Sequence, residues 1–207
     1  MLRSAILLIA GIASASTQQA TNSPAEAARV QDVYDVYSVL MANPPVIGGD
    51  SNKTFAFAAL TKPAGLDEAP GPLLKLLGDC NAPPPGYEDR WLEVLSDFRS
   101  RSDAPVPLLH ELKIAKPYIF LTEDEIKVFN SAHSSIGAPL VPNPQFGDAV
   151  SVIRLSNVYF NKDRSLAVVY ISSECGMLCA EGRRKVFEKT ATGWKEVAGG
   201  TRCVISA

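Results

Sequence analysis

Apolar residues recur in two rhythms along this chain. Up to about position 131 they fall mostly at steps of three and four, and from 151 onward they crowd into short runs separated by polar turns. Val30, Val33, Tyr34, Tyr37, Leu40 and Met41 make one stripe at helical spacing. It predicts a helix with Ser23 as N-cap, Pro24 in the first helical position, and Glu26 completing a Ser-x-x-Glu capping box. Asn43-Pro44-Pro45 ends it. Tyr87, Trp91, Val94, Leu95 and Phe98 predict a further helix reaching Ser100. Shorter helices are expected over 73–77, stopped by Gly78, and after Thr122, where Glu125 completes a second capping box and the helix reaches Asn130.

The run 53–61, centred on Phe55-Ala56-Phe57-Ala58 and preceded by the turn Gly48-Gly49-Asp50, has the composition of a strand, as does 118–121. Pro105 and Pro107 make the stretch before the second of these an extended linker. In the last third, 151–160 and 165–173 flank the polar turn Asn161-Lys162-Asp163-Arg164. The segments 182–189, 194–197 and 202–205 follow, with Thr192-Gly193 as a turn. Connections this short exclude parallel crossovers, so an antiparallel meander of four or five strands is predicted. Between the two halves, 131–148 is rich in Ser, Gly, Pro and Asn and reads as a long surface loop, a kind uncommon unless used. The fold class is therefore α+β: N-terminal helices with one or two strands, packed on a C-terminal sheet over 150–206, in a single domain over 23–207.

The extreme N-terminus obeys a different pattern. Met1-Leu2-Arg3 is a short cationic start, 4–11 is mostly apolar, and Ala13-Ser14-Ala15 fits a small-x-small cleavage rule, so 1–15 reads as a signal peptide and 16–22 as a flexible polar N-terminus. The apolar run falls well short of the roughly 20 residues that span a bilayer, so no transmembrane segment is expected after cleavage. A periplasmic or secreted location follows. The whole chain has 20 basic and 22 acidic residues, a formal charge of −2. That near balance excludes a nucleic-acid partner of the usual strongly basic kind.

Four cysteines in an exported chain are expected to be oxidised, with three pairings open. The favoured set joins Cys175 to Cys179 and Cys80 to Cys203. The second bridge would close more than half the chain, a constraint of about 4 to 5 kcal/mol in the chain-entropy model.

The run Leu155-Ser156-Asn157-Val158-Tyr159-Phe160-Asn161-Lys162-Asp163, then Ala167-Val168-Val169-Tyr170-Ile171-Ser172, Cys175-Gly176-Met177-Leu178-Cys179, Phe187-Glu188-Lys189 and Gly193-Trp194-Lys195-Glu196-Val197, resembles a family of uncharacterised bacterial exported proteins. Members read "LSRVGFNKD…ALVYVS…CGGLCGEG…EK…GKWKV". The likeness covers about a quarter of the chain and implies export, an antiparallel sheet and a cysteine loop shared by the family. Met177 and Ala180 stand where that pattern has glycine, which argues against a bare-backbone anion nest in the loop.

The chemistry-bearing residues form no catalytic constellation. The Cys-x-x-x-Cys spacing differs from a redox Cys-x-x-Cys, which leaves a structural disulfide as the better reading. His110 and His133 have no zinc-ligand spacing, so neither a metal nor another cofactor is expected. His133 near Ser131, Ser134, Ser135 and Asp148 lacks a nucleophile-elbow pattern, and His110 beside Glu111 reads as a surface pair. Glu174, Gly176, Met177, Leu178, Glu181 and Arg183 make a possible binding loop. Arg183-Arg184-Lys185 is expected on a solvated sheet face, with Arg183 and Lys185 paired to Glu174 or Glu181 across the hairpin. Tyr34, Tyr37, Trp91 and Phe98 could line one pocket between helix and sheet. The expected function is non-enzymatic binding of a small apolar or amphipathic ligand, or of an envelope partner protein. The alternatives are an exported hydrolase using His133 or His110, or a purely structural envelope protein.

Overall fold

The computed structural model describes residues 23–42, 44, 53–64, 82–101, 104–108, 112–131, 143–176, 179–199 and 202–206. The expected leader and 16–22 segment, the helix over 73–77, and Cys80, His110, His133, Met177 and Leu178 lie outside them. So does most of the 131–148 loop.

Both helix starts are capped, the second by a full reciprocal box. The Glu26 amide donates to Ser23 Oγ at 3.3 Å and opens helix α1 (Pro24–Ala42). Thr122 and Glu125 bond reciprocally, the Thr122 amide to Glu125 Oε2 at 2.8 Å and the Glu125 amide to Thr122 Oγ1 at 3.3 Å, at the head of α3 (Glu123–Ser131). Between them, α2 (Glu88–Ser100) carries the Trp91 stripe.

The strands are β1 (Phe55–Ala58), β2 (Tyr118–Leu121), β3 (Val152–Leu155), β4 (Tyr159–Phe160), β5 (Leu166–Glu174), β6 (Ala180–Thr190), β7 (Gly193–Glu196) and β8 (Arg202–Ser206). They join in one mixed sheet of order β2-β1-β3-β5-β6-β7, with β4 beside β5 and β8 beside β6. The β5–β6 hairpin is its spine. Two short strands share each outer edge of that hairpin: β3 and β4 along β5, β8 and β7 along β6.

The architecture is α+β, with two corrections. The expected first sheet strand over 151–160 is two strands, because the chain bends through Asn157 and Val158. Nor do the N-terminal strands pack on the sheet as a separate layer. They extend it: β1 lies parallel to both β2 and β3, pairing Phe57 with Phe120 on one side and Ile153 on the other. Each parallel partner is far away in sequence, as crossover geometry requires.

Alternation along β5 sorts the core onto two faces. Ala167, Val169 and Ile171 face α1 together with Phe57, Ile153, Leu155, Phe160 and Phe187. Leu166 and Val168 face α2 with Trp91, Val94 and Tyr159. Further along that second face, α3 sets Ile126 and Phe129 against Ala56, Ala58, Leu121 and Val152. Burial of each large side chain contributes about 1.5 to 3 kcal/mol before entropy is counted. Tyr34 and Tyr37 thus lie on the opposite side of the sheet from Trp91 and Phe98, and the four do not line one pocket: helical periodicity marks an inward face without naming what it meets.

The face of α1 that meets the sheet holds one buried carboxylate. Asp32, 4% exposed, accepts from Lys189 Nζ and, at 3.3 Å, from the Trp194 indole, and lies 3.6 Å from Arg164. This is the polar clasp between α1 and the β6–β7 hairpin. Across the sheet, α2 is held by Arg90 and Tyr87, both donating to Glu188.

Candidate functional site

The proline-bearing linker forms one wall of a groove. Pro105 and Pro107 have no amide to offer, so 104–108 is stitched to the sheet through the residues between and after them. The Val106 amide donates to Thr61 Oγ1 at 2.8 Å, and the Leu108 amide to the Ala59 carbonyl at 2.9 Å. Thr61 Oγ1 donates in turn to Asn157 Oδ1, and the Asn157 amide nitrogen reaches the Ala104 carbonyl. The linker is thereby fixed opposite α1 at the bend between β3 and β4.

The space between has a volume of about 390 Å³, with Val30, Val33, Tyr34 and Tyr37 of α1 on one side, Val106 and Leu108 on the other, and Val158 beneath. Val106 is 48% exposed into it. Tyr34 and Tyr37 meet edge to face, ring centroids 5.9 Å apart. Tyr37 is buried and donates its hydroxyl to the Ser156 carbonyl at 2.7 Å. Burial, reinforced by Tyr34 and Tyr159, pushes its phenol well above the usual tyrosine range. Polar groups reach the groove at its end, where Arg29, Glu26 and Arg101 lie.

A second polar cluster lies on the opposite face, in the seam between α2 and α3. Lys62 Nζ donates to Ser172 Oγ at 3.2 Å and sits 4.7 Å from the centre of the Tyr170 ring. Burial, and then the nearby Arg154 charge, lower the Lys62 pKa. Tyr170 itself lies over Gly182, where any Cβ would fall onto its hydroxyl. A lysine of lowered pKa beside a serine has the parts of a nucleophile–base pair. The donors that would stabilise an oxyanion are committed elsewhere: Arg154 bonds Glu174 at 2.8 Å and Glu123 at 2.6 Å, and Ser172 lies mid-strand between paired neighbours. Nothing in the sequence pattern brings residues 62, 154, 170 and 172 together; their meeting depends on the parallel placement of the chain beyond β1 against β3.

Cys175 and Cys179 are joined at disulfide distance, Cα atoms 5.2 Å apart, with the Cys175 amide donating to the Cys179 carbonyl at 2.8 Å. The proposed partner of Cys203, Cys80, is not among the described residues. Of the expected binding-loop residues, Met177 and Leu178 lie outside the described ones, and the charged members are already paired. Glu174 is bound to Arg154, and Arg183 pairs with Glu181 along its own strand rather than across the hairpin. Lys185 pairs with Glu196 of β7 at 2.7 Å, not with Glu174 or Glu181. The basic run is also less solvated than expected. Arg184 is 6% exposed with its guanidinium 5.8 Å from the Trp91 ring centre of α2, and Lys185 is 8% exposed.

Among the described residues no group of three or more His, Cys, Asp or Glu is placed to hold a metal ion, and no helix is long and apolar enough to cross a membrane. The sequence stripe singled out Tyr34 and Tyr37 but not their partners across the groove. Val106 and Leu108 carried a signal only in retrospect: an apolar residue after each proline, in a segment short of other apolar anchors. Comparison with family models, curated proteins and solved structures returns no match for this chain.

Proposed function

We propose that this chain is an exported, non-enzymatic binding protein that holds a small amphipathic ligand in the groove between α1 and the 104–108 segment. One observation carries the reading: an apolar groove of about 390 Å³ whose lining includes the half-exposed Val106. Ligand sites run from about 300 to 1,000 Å³ and pair apolar walls with a few polar groups, a description that fits this groove and its charged end. Export rests on the leader-like N-terminus and agrees with a disulfide at the β5–β6 tip.

The test is fluorescence of N-phenyl-1-naphthylamine, an apolar probe that brightens when removed from water. The wild-type chain is expected to bind it saturably, and Val106→Glu, at a half-exposed position, to weaken binding by at least about tenfold, or 1.4 kcal/mol, with the circular dichroism unchanged. Absence of saturable binding, or a Val106→Glu variant that binds as well as wild type, would remove the groove from the function.

A further inference from the structure

Next to the apolar groove lies a polar cleft of about 600 Å³, bounded by the first turns of α1, the outer side of α2 and the turn between β4 and β5. Glu26 and Arg29 line both cavities, so the two adjoin. Arg29 stands at the junction. Its guanidinium donates to Asp97 Oδ2 at 2.7 Å and lies 4.9 Å from the centre of the Phe160 ring.

The charges around the cleft are unequally engaged. From α2, Asp97 accepts the Phe160 amide at 2.9 Å as well as Arg29 and Arg101, and Glu93 accepts the Lys162 amide at 3.0 Å. Both carboxylates are therefore held by backbone or guanidinium donors. The cations of the β4–β5 turn are less committed. The Lys162 ammonium is exposed and makes no ion pair among the described residues. Among the described residues the Arg164 side chain pairs with Asp32 alone, at 3.6 Å, and that carboxylate is already bonded by Lys189 and Trp194. Against these two cations stands Glu26, on the exposed first turn of α1 at the junction itself. Positive charge is thus available at the end of the cleft remote from the apolar groove. A ligand filling both cavities meets hydrocarbon walls first and cations last.

Resting on the groove reading above, we infer that the ligand is a single-chain amphiphile with an anionic head, its alkyl chain in the α1 groove and its phosphate or carboxylate beyond Arg29, against Lys162 and Arg164. An anion there gains charge-assisted hydrogen bonds from Lys162 without breaking an ion pair among the described residues, and competes for Arg164 with Asp32, 3.6 Å away.

The experiment titrates the full chain calorimetrically, below micelle-forming concentrations, with dodecyl phosphate, dodecanoate, dodecanol and dodecyltrimethylammonium. It is repeated on Lys162→Gln/Arg164→Gln and on Lys162→Gln alone, the latter in case the double change perturbs the turn. Both anions are expected to bind at least about tenfold tighter than the alcohol, equivalent to 1.4 kcal/mol. In the double variant that advantage is lost, and in the single variant it is reduced. The order of phosphate and carboxylate then distinguishes a phospholipid-derived head from a fatty acid. Equal affinity for all four compounds, or a preference for the ammonium, would overturn the head-group inference while leaving the groove intact. Failure of every compound to bind, the alcohol included, would remove the groove reading and this one with it.

Discussion

Asp32→Ala tests the clasp that holds α1 on the sheet. Replacing the carboxylate leaves the Trp194 indole N–H, on a side chain only 7% exposed, without its acceptor. An orphaned buried donor costs about 1 to 3 kcal/mol. Lys189 loses a partner too, but its side chain is 44% exposed and rehydrates, so its share stays below about 1 kcal/mol. Removing a carboxylate that is itself 4% exposed returns some desolvation energy. The net expectation is a loss of about 2 kcal/mol, which for a chain of this length lowers Tm by roughly 4 to 8 °C. Asp32→Asn keeps an oxygen for the indole and is expected to lose about half as much. Urea unfolding followed by tryptophan fluorescence reads both, and probe binding in the groove should weaken alongside, since α1 is one of its walls. A change within about 0.5 kcal/mol for Asp32→Ala, the range of an ordinary surface substitution, would refute the clasp.

Two further outcomes follow from the same geometry. Tyr37 has its folded pKa raised above the unfolded value, so its contribution is fully present below about pH 10 and is lost as pH climbs beyond it. Urea midpoints between pH 8 and 12 should fall more steeply for wild type than for Tyr37→Phe; parallel curves would contradict the assignment. Joint replacement of Cys175 and Cys179 by serine opens a ring of sequence separation 4, which the chain-entropy model values at about 2 kcal/mol. Because none of the loop's described residues lines the groove or the polar cleft, groove binding should persist, and its disappearance would restore the cysteine loop to the site.

What could be read in advance was local. Ser23 with Glu26 and Thr122 with Glu125 announce helix starts because capping is settled within four residues, and both helices start there, the second with the full reciprocal box. Strand 118–121 was equally plain from its composition. The arrangement of these elements was not legible, since β1 pairs in parallel with segments some sixty and a hundred residues away, and an apolar strand carries no mark of its neighbour. For the same reason Tyr34 and Trp91, both inward-facing on their helices, could be assigned to one pocket although the sheet divides them. The polar cleft was hidden more deeply. Arg29, Asp97 and Lys162 look like ordinary surface charges until α1, α2 and the β4–β5 turn converge at the margin of the sheet.

That margin has a bearing on how the protein behaves at high concentration. Among the described residues strand β4 pairs with β5 on one side only, so the Phe160 and Lys162 amides point outward in the manner that lets a sheet recruit a strand from another copy. Asp97 and Glu93 already occupy those two donors from α2. The same pair of carboxylates that lines the cleft therefore also caps a sheet edge that would otherwise be open to a strand from another copy.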